Sequence, residues 1–120
     1  MAQYRIVFYS KEDGSVPVSD FLDSLNEKQL AKSLRDIDLL EENGPALREP
    51  QSKQLEANLF ELRTKAGTNI SRILYFFLVG KTIVLTNGFV KKQNHTPESE
   101  KERARRYRAD YIRRFVNHGL

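Results

Sequence analysis

Leu59-Phe60-Glu61-Leu62-Arg63-Thr64-Lys65 and Ile70-Ser71-Arg72-Ile73-Leu74-Tyr75-Phe76-Phe77-Leu78-Val79 stand on either side of Ala66-Gly67-Thr68-Asn69. Both runs are rich in β-branched and aromatic residues, and a connection this short forces an antiparallel hairpin. A third run, Thr82 to Lys91, follows Gly80-Lys81, a Gly-first pair suited to a type II′ turn. The expectation is an antiparallel meander of three strands over residues 59–91.

Side chains alternate between the faces of a strand, so the turns decide which of them meet. With Gly67-Thr68 as a two-residue loop, Arg63 falls opposite Arg72. With Gly80-Lys81 as the second loop, Arg72 falls opposite Phe89. Neighbouring rows on that face read Glu61, Leu74, Asn87 and Lys65, Ile70, Lys91, and its far end holds Phe76, Leu78, Ile83 and Leu85. The opposite face carries Phe60, Leu62, Ile73, Tyr75, Phe77, Val84 and Val90, an apolar set expected in the core.

Working outward, Tyr4 to Tyr9 reads as a first strand and Lys11 to Ser15 as a turn. Pro17 suits a first helical turn. Asn26 with Gln29 three residues on forms a capping box for a second helix, which Asn43-Gly44-Pro45 stops. A helical hairpin over residues 16–43 follows. Residues 44–57 read as a polar, loop-like connection. Thr96-Pro97 is an N-cap followed by a first helical residue, and Ala104, Arg108, Tyr111, Ile112 and Phe115 share one face of a helix running to about residue 116. The order is βααβββα: an α+β fold with a mainly antiparallel sheet on which the helical hairpin and the C-terminal helix pack.

The 120 residues fit a single domain, 1–120, with 39% hydrophobic and 30% charged residues. No apolar run reaches the ~18 residues of a membrane span, and Met1 to Arg5 lack the pattern of a signal peptide. Cysteine is absent, which excludes disulfides and thiolate metal sites and is compatible with the cytoplasm. Two histidines, with no His-x-x-x-His or clustered Asp motif, argue against a metal, and no cofactor is expected. The net charge of +4 is polarised: residues 1–60 hold 7 Lys/Arg against 11 Asp/Glu, residues 61–120 hold 13 against 5. That asymmetry favours a polyanionic partner on one side of the molecule.

Two readings of the sheet row stand side by side. Opposed arginines repel unless an anion lies between them. Either Glu61 pairs with Arg63 or Arg72 in a structural network, or the cluster receives a phosphate. Phe89 is either a platform for a base, worth ~1–3 kcal/mol, or a core residue at a strand end. The last helix, with Lys101, Arg103, Arg105, Arg106, Arg108, Arg113 and Arg114, is expected to pack through one face and to offer RNA the other.

Leu59-Phe60-Glu61-Leu62-Arg63, Ser71-Arg72-Ile73-Leu74-Tyr75-Phe76 and Asn87-Gly88-Phe89-Val90-Lys91-Lys92-Gln93-Asn94-His95-Thr96-Pro97 together resemble the signature of phage-related HigB toxins, of the RelE/ParE toxin–antitoxin superfamily. The order of elements is similar over nearly the whole chain. Two positions depart from the pattern: Ser71 where an aromatic residue usually precedes the arginine, and His95 where lysine often precedes Thr-Pro.

The resemblance implies a RelE-like fold and a ribosome-dependent endoribonuclease that cleaves mRNA and inhibits translation. It implies as partners the ribosome, mRNA and a cognate antitoxin, with a higher-order toxin–antitoxin complex on operator DNA through the antitoxin. Carried over, it points to Arg63, Arg72, Lys91 and Lys92 as functional residues with Phe89 beside them. Metal-free cleavage needs a base for the 2′-OH, charge stabilisation for a phosphorane and an acid for the leaving 5′ oxygen. Arg72 and Arg63 suit phosphate clamping, because guanidinium stays protonated and binds phosphate bidentately. Lys91 is the first choice for proton transfer. Lys92 points away in a regular strand, and Glu61 is either the base or a group that orients an arginine. Lys65 and His95 complete the RNA-contacting set, His95 being either an acid or an exposed loop residue. A non-cleaving inhibitor of DNA gyrase and an RNA-binding regulatory module remain as alternatives, because one fold serves several activities.

Overall fold

A computed structural model describes residues 4–91 and 95–117. The helical hairpin forms as its caps require. Pro17 opens α1 (Pro17–Asp23). At the start of α2 (Glu27–Asn43) the Asn26 side chain accepts from the Gln29 N–H at 2.8 Å, and the Gln29 side chain accepts from the Asn26 N–H at 3.3 Å. These reciprocal bonds satisfy two donors that a helix start otherwise leaves open. At its other end α2 stops on Gly44, whose positive φ of 52° and close approach to the Tyr4 ring leave no room for a side chain.

The strands are β1 (Arg5–Phe8), β2 (Ser52–Glu56), β3 (Leu59–Ala66), β4 (Asn69–Leu78) and β5 (Thr82–Lys91). They lie in the order β1-β5-β4-β3-β2, with β1 parallel to β5 and the other pairings antiparallel. The sheet is therefore mixed and five-stranded, one strand more than βααβββα allows. The added strand is β2, inside the segment expected to be a loop. It is an edge strand with Lys53 and Gln54 exposed and a register shift between Gln54 and Glu56, so its polar composition hides it from hydrophobic patterning.

Helices cover both faces. Val18, Leu22, Ile37 and Leu40 of the hairpin pack on Leu62, Ile73 and Tyr75. On the other side α3 (Glu98–Tyr111) sets Ala104 against Leu59 and Leu74, and Tyr111 against Phe76 and Val84. After Tyr111 the chain widens into a π-helical turn, Ile112–Val116, and Phe115 is 56% exposed instead of lying in the packed face. Thr96 is not the N-cap of α3. Pro97 holds that position without a side-chain cap, because the Thr96 hydroxyl is engaged elsewhere. Among the described residues no helix is long and apolar enough to cross a membrane.

The β3–β4 hairpin has the expected register, with Arg63 opposite Arg72. The β4–β5 hairpin does not have the expected turn. Three residues, Val79, Gly80 and Lys81, connect the strands, with positive φ at Gly80 and Lys81. Near the turn the register is therefore off by one, and Ile83 and Leu85 join the core under α1 and α2 while Val84 faces α3. A bulge on β5 then reverses the offset. Leu74 pairs with Asn87 and Tyr75 with Leu85, so Thr86 is the extra residue, its hydroxyl donating to the Leu74 carbonyl at 3.1 Å. Beyond the bulge the expected row reappears, with Arg72 opposite Phe89. Val90 points to the hairpin side at the sheet end and stays 40% exposed, outside the core.

Candidate functional site

At the bulge-distal end of the sheet three strands present the rows Glu61–Leu74–Asn87, Arg63–Arg72–Phe89 and Lys65–Ile70–Lys91. Glu61 is 1% exposed, and its Oε1 lies 3.2 Å from Arg63 Nε and 3.6 Å from Arg72 Nη1. The Thr96 hydroxyl donates to the other oxygen, Oε2. The anion needed between two opposed arginines is thus supplied by the protein. Both carboxylate oxygens are therefore engaged, Oε1 by the two arginines and Oε2 by Thr96.

The two arginines differ in access. Arg72 is fully buried, with its Nη1 turned to Glu61 and no surface open to solvent. Arg63, with 21% of its side chain exposed, keeps one side open. Lys65 is exposed in the next row. Lys91 closes β5 as the register partner of Ile70, and Lys92 lies outside the described residues. His95 is exposed just ahead of Thr96. Phe89 is half-buried against Leu59, Leu74 and Ala104, a packing role that uses much of its ring.

Asn87, expected in the row beside Glu61, is joined by two residues the sequence does not single out, Thr86 and Glu100. Asn87 donates from Nδ2 to the Glu100 backbone carbonyl at 3.3 Å and to Glu100 Oε1 at 3.0 Å, while the single Thr86 hydroxyl hydrogen is shared between the Leu74 carbonyl at 3.1 Å and Asn87 Oδ1 at 2.7 Å. This chain ties the first turn of α3 to the bulge. A buried asparagine and threonine inside a strongly apolar strand were the available signal.

The basic helix is mostly neutralised by its own contacts. Arg105 binds both oxygens of Glu56, at 2.8 and 2.7 Å, and Glu98 at 2.8 Å, and it holds the Glu56 carboxyl below its usual range. Arg108 donates to the carbonyls of Ala57 and Asn58 at 3.2 and 2.7 Å. Lys101 and Arg103 pair with Glu98 and Glu100. At the C-terminal end Arg113 meets Glu12 and Asp110, and Arg114 meets Asp110. The Tyr9 hydroxyl, 2.6 Å from Asp110, and then Arg114 pull the Asp110 carboxyl down to about 2. Burial and that same carboxylate push Tyr9 up to about 12. Arg106 alone of these cations makes no such contact among the described residues. The helix is strapped down by its charges, and the open cationic surface lies at the sheet end.

Among solved structures, the crystal structure of an archaeal RelE-RelB complex from Pyrococcus horikoshii OT3 holds a chain similar to this one. It matches with a TM-score of 0.50 and 21% identity over 77% of this chain and 98% of that one. At that identity the likeness concerns the fold, which is RelE-like. A search among curated proteins returned no match. A family model described as Phage derived protein Gp49-like (DUF891) matches residues 20–109, which takes in the end of α1, all of α2, strands β2 to β5 and most of α3. The chain belongs to this family of phage-derived Gp49-like proteins.

Proposed function

We propose that the chain is the toxin of a toxin–antitoxin pair, of HigB type, and that it cleaves mRNA on the ribosome without a metal. The observation that carries this reading is the arginine pair held about Glu61 at an open, cationic sheet end, with Arg63 partly exposed and Lys65 in the adjoining row. The RelE-like fold supports it.

In the reaction the 2′-oxygen attacks the adjacent phosphorus as its proton passes to a base, the P–O5′ bond breaks, and an acid protonates the leaving oxygen. The products are a 2′,3′-cyclic phosphate and a 5′-hydroxyl end. Arg63 contacts the phosphate and offsets the charge that develops on its oxygens. Arg72 and Glu61 keep the Arg63 guanidinium in one orientation. Lys91 and Lys92 supply the proton transfers, for which an amine beside other cations is suited. His95 and Phe89 contact the RNA to either side. A cognate antitoxin holds the toxin inactive and carries it onto operator DNA.

The test is a cell-free translation reaction in which mRNA ends are mapped with wild-type protein and with Arg63→Ala. New ends in translated messages, reduced at least a hundredfold by the substitution, bear the reading out; loss of a charged hydrogen bond to a transition state costs about 3 kcal/mol or more. Intact messages with altered DNA supercoiling point instead to gyrase, and intact messages with RNA retained point to a binding module.

A further inference from the structure

Strand β3 outruns its neighbour β2. The ladder between them pairs Ser52 with Leu62, and the Arg63 N–H reaches the Gln51 carbonyl at 2.7 Å. Past that bond Thr64 to Ala66 have only β4 beside them. Between this unpaired edge, α2 and the chain around Pro50 lies a cleft of about 330 Å³, within the ~300–1,000 Å³ range of small-molecule sites. Three cations line it: Arg35 from α2, 64% exposed, with Arg63 and Lys65 from β3.

The carboxylate in its wall, Asp36, is already committed. It is 3% exposed and accepts from the Thr64 hydroxyl at 2.8 Å. Arg35 touches it only at 3.5 Å, a long, exposed contact of the kind that contributes little. The open charge of the cleft is therefore positive, and Arg35 is free to turn to another anion. Pro50 and Ile70 add apolar surface, and Gln51 adds an amide that both donates and accepts. Cations, flat apolar contacts and one amide side by side fit a nucleotide better than a bare anion.

We propose that this cleft is a subsite for one nucleotide of single-stranded RNA, with Arg35, Arg63 and Lys65 on its phosphate and with Pro50, Ile70 and Gln51 on its base. The inference rests on the RNA-cleaving reading and deepens it. Arg63 lines the cleft and also touches Glu61, so a nucleotide seated here adjoins the one that is cut. Arg35 becomes a substrate-contacting residue on a helix that otherwise serves the core.

The experiment is fluorescence anisotropy with a 2′-O-methyl RNA hexamer, which lacks the attacking hydroxyl and so stays whole. It is run with wild-type protein, Arg35→Glu, Gln51→Ala and Lys81→Glu, the last at the opposite end of β4 and β5. Arg35→Glu is expected to weaken binding about tenfold or more, in line with the loss of a charge-assisted contact. Gln51→Ala weakens it less, and Lys81→Glu behaves as wild type. Arg35 is exposed, so a circular dichroism spectrum unchanged by its replacement keeps the comparison clean. If Arg35→Glu binds the hexamer like Lys81→Glu, the subsite is overturned. If wild type cuts mRNA during translation and yet does not hold the hexamer, the cleavage reading survives and the subsite falls. If it neither cuts nor binds, both fall.

Discussion

Thr96 donates its hydroxyl hydrogen bond to Glu61, and this one contact joins the segment leading into α3 to the carboxylate that separates Arg63 from Arg72. A threonine that in sequence looks like a helix cap is spent on the site. Thr96→Val keeps the shape and removes the donor, leaving a buried carboxylate oxygen short of a partner. The expected loss is about 1–3 kcal/mol, seen as a lower urea midpoint, and Thr96→Ser restores most of it. A midpoint unchanged in the valine variant refutes this role.

Glu61→Gln takes the charge from between two guanidinium groups, one of them fully buried. Removing one partner of a buried pair costs about 3–5 kcal/mol. The expected loss here lies at the low end, since Arg63 is partly exposed. Adding Arg63→Met to that variant relieves the repulsion and recovers part of the loss. A double-mutant cycle that is purely additive contradicts the network.

Acid sensitivity centres on the C-terminal strap. Asp110 sits at about 2 when folded, against 3.8 for the free side chain. A carboxyl held low contributes stability that is whole above about pH 4 and fades as pH falls towards 2. Asp110→Asn flattens that part of a stability–pH curve. Tyr9 and Tyr75, both raised from 10.0 to about 12, act at the other end. Tyr75 is raised by burial, against a smaller opposing effect of its bond to Ser52. A raised phenol favours the fold fully below pH 10, and that contribution is lost as pH rises towards 12. Tyr9→Phe lessens the alkaline decline, checked by thermal unfolding at stepped pH.

Gly88 lies where the Phe21 ring of α1 meets β5, and an added β-carbon would enter that ring. Gly88→Ala therefore displaces α1, with an expected cost of about 1–3 kcal/mol. Faster amide exchange confined to residues 17–25 locates the damage. Exchange spread evenly over the molecule argues against it.

The fold and the site were legible to different depths. Capping residues placed α1 and α2 closely, and the Gly67-Thr68 turn placed Arg63 against Arg72. The row through Phe89 came out right although its turn was misread, because the third loop residue and the Thr86 bulge offset one another. Strand β2 was invisible because an edge strand has little to bury. The neutral character of α3 was hidden as well. Arg105 of α3 and Arg113 of the turn after it answer to Glu56 and Glu12, far away in sequence, so charge counted along the chain overstated the free basic surface. Burial of Arg72 was likewise a tertiary fact, since nothing local in Ser71-Arg72-Ile73 marks which arginine is sealed.

The extra residue of the Val79–Lys81 connection and the extra residue at Thr86 form a matched set. Shortening the connection alone would slide β5 one step, turning Asn87 and Phe89 towards α1 and detaching Glu100 from its anchor. Chain length at these two places is therefore coupled: a relative that lacks one insertion keeps the Arg63–Arg72–Phe89 row aligned only by lacking the other as well.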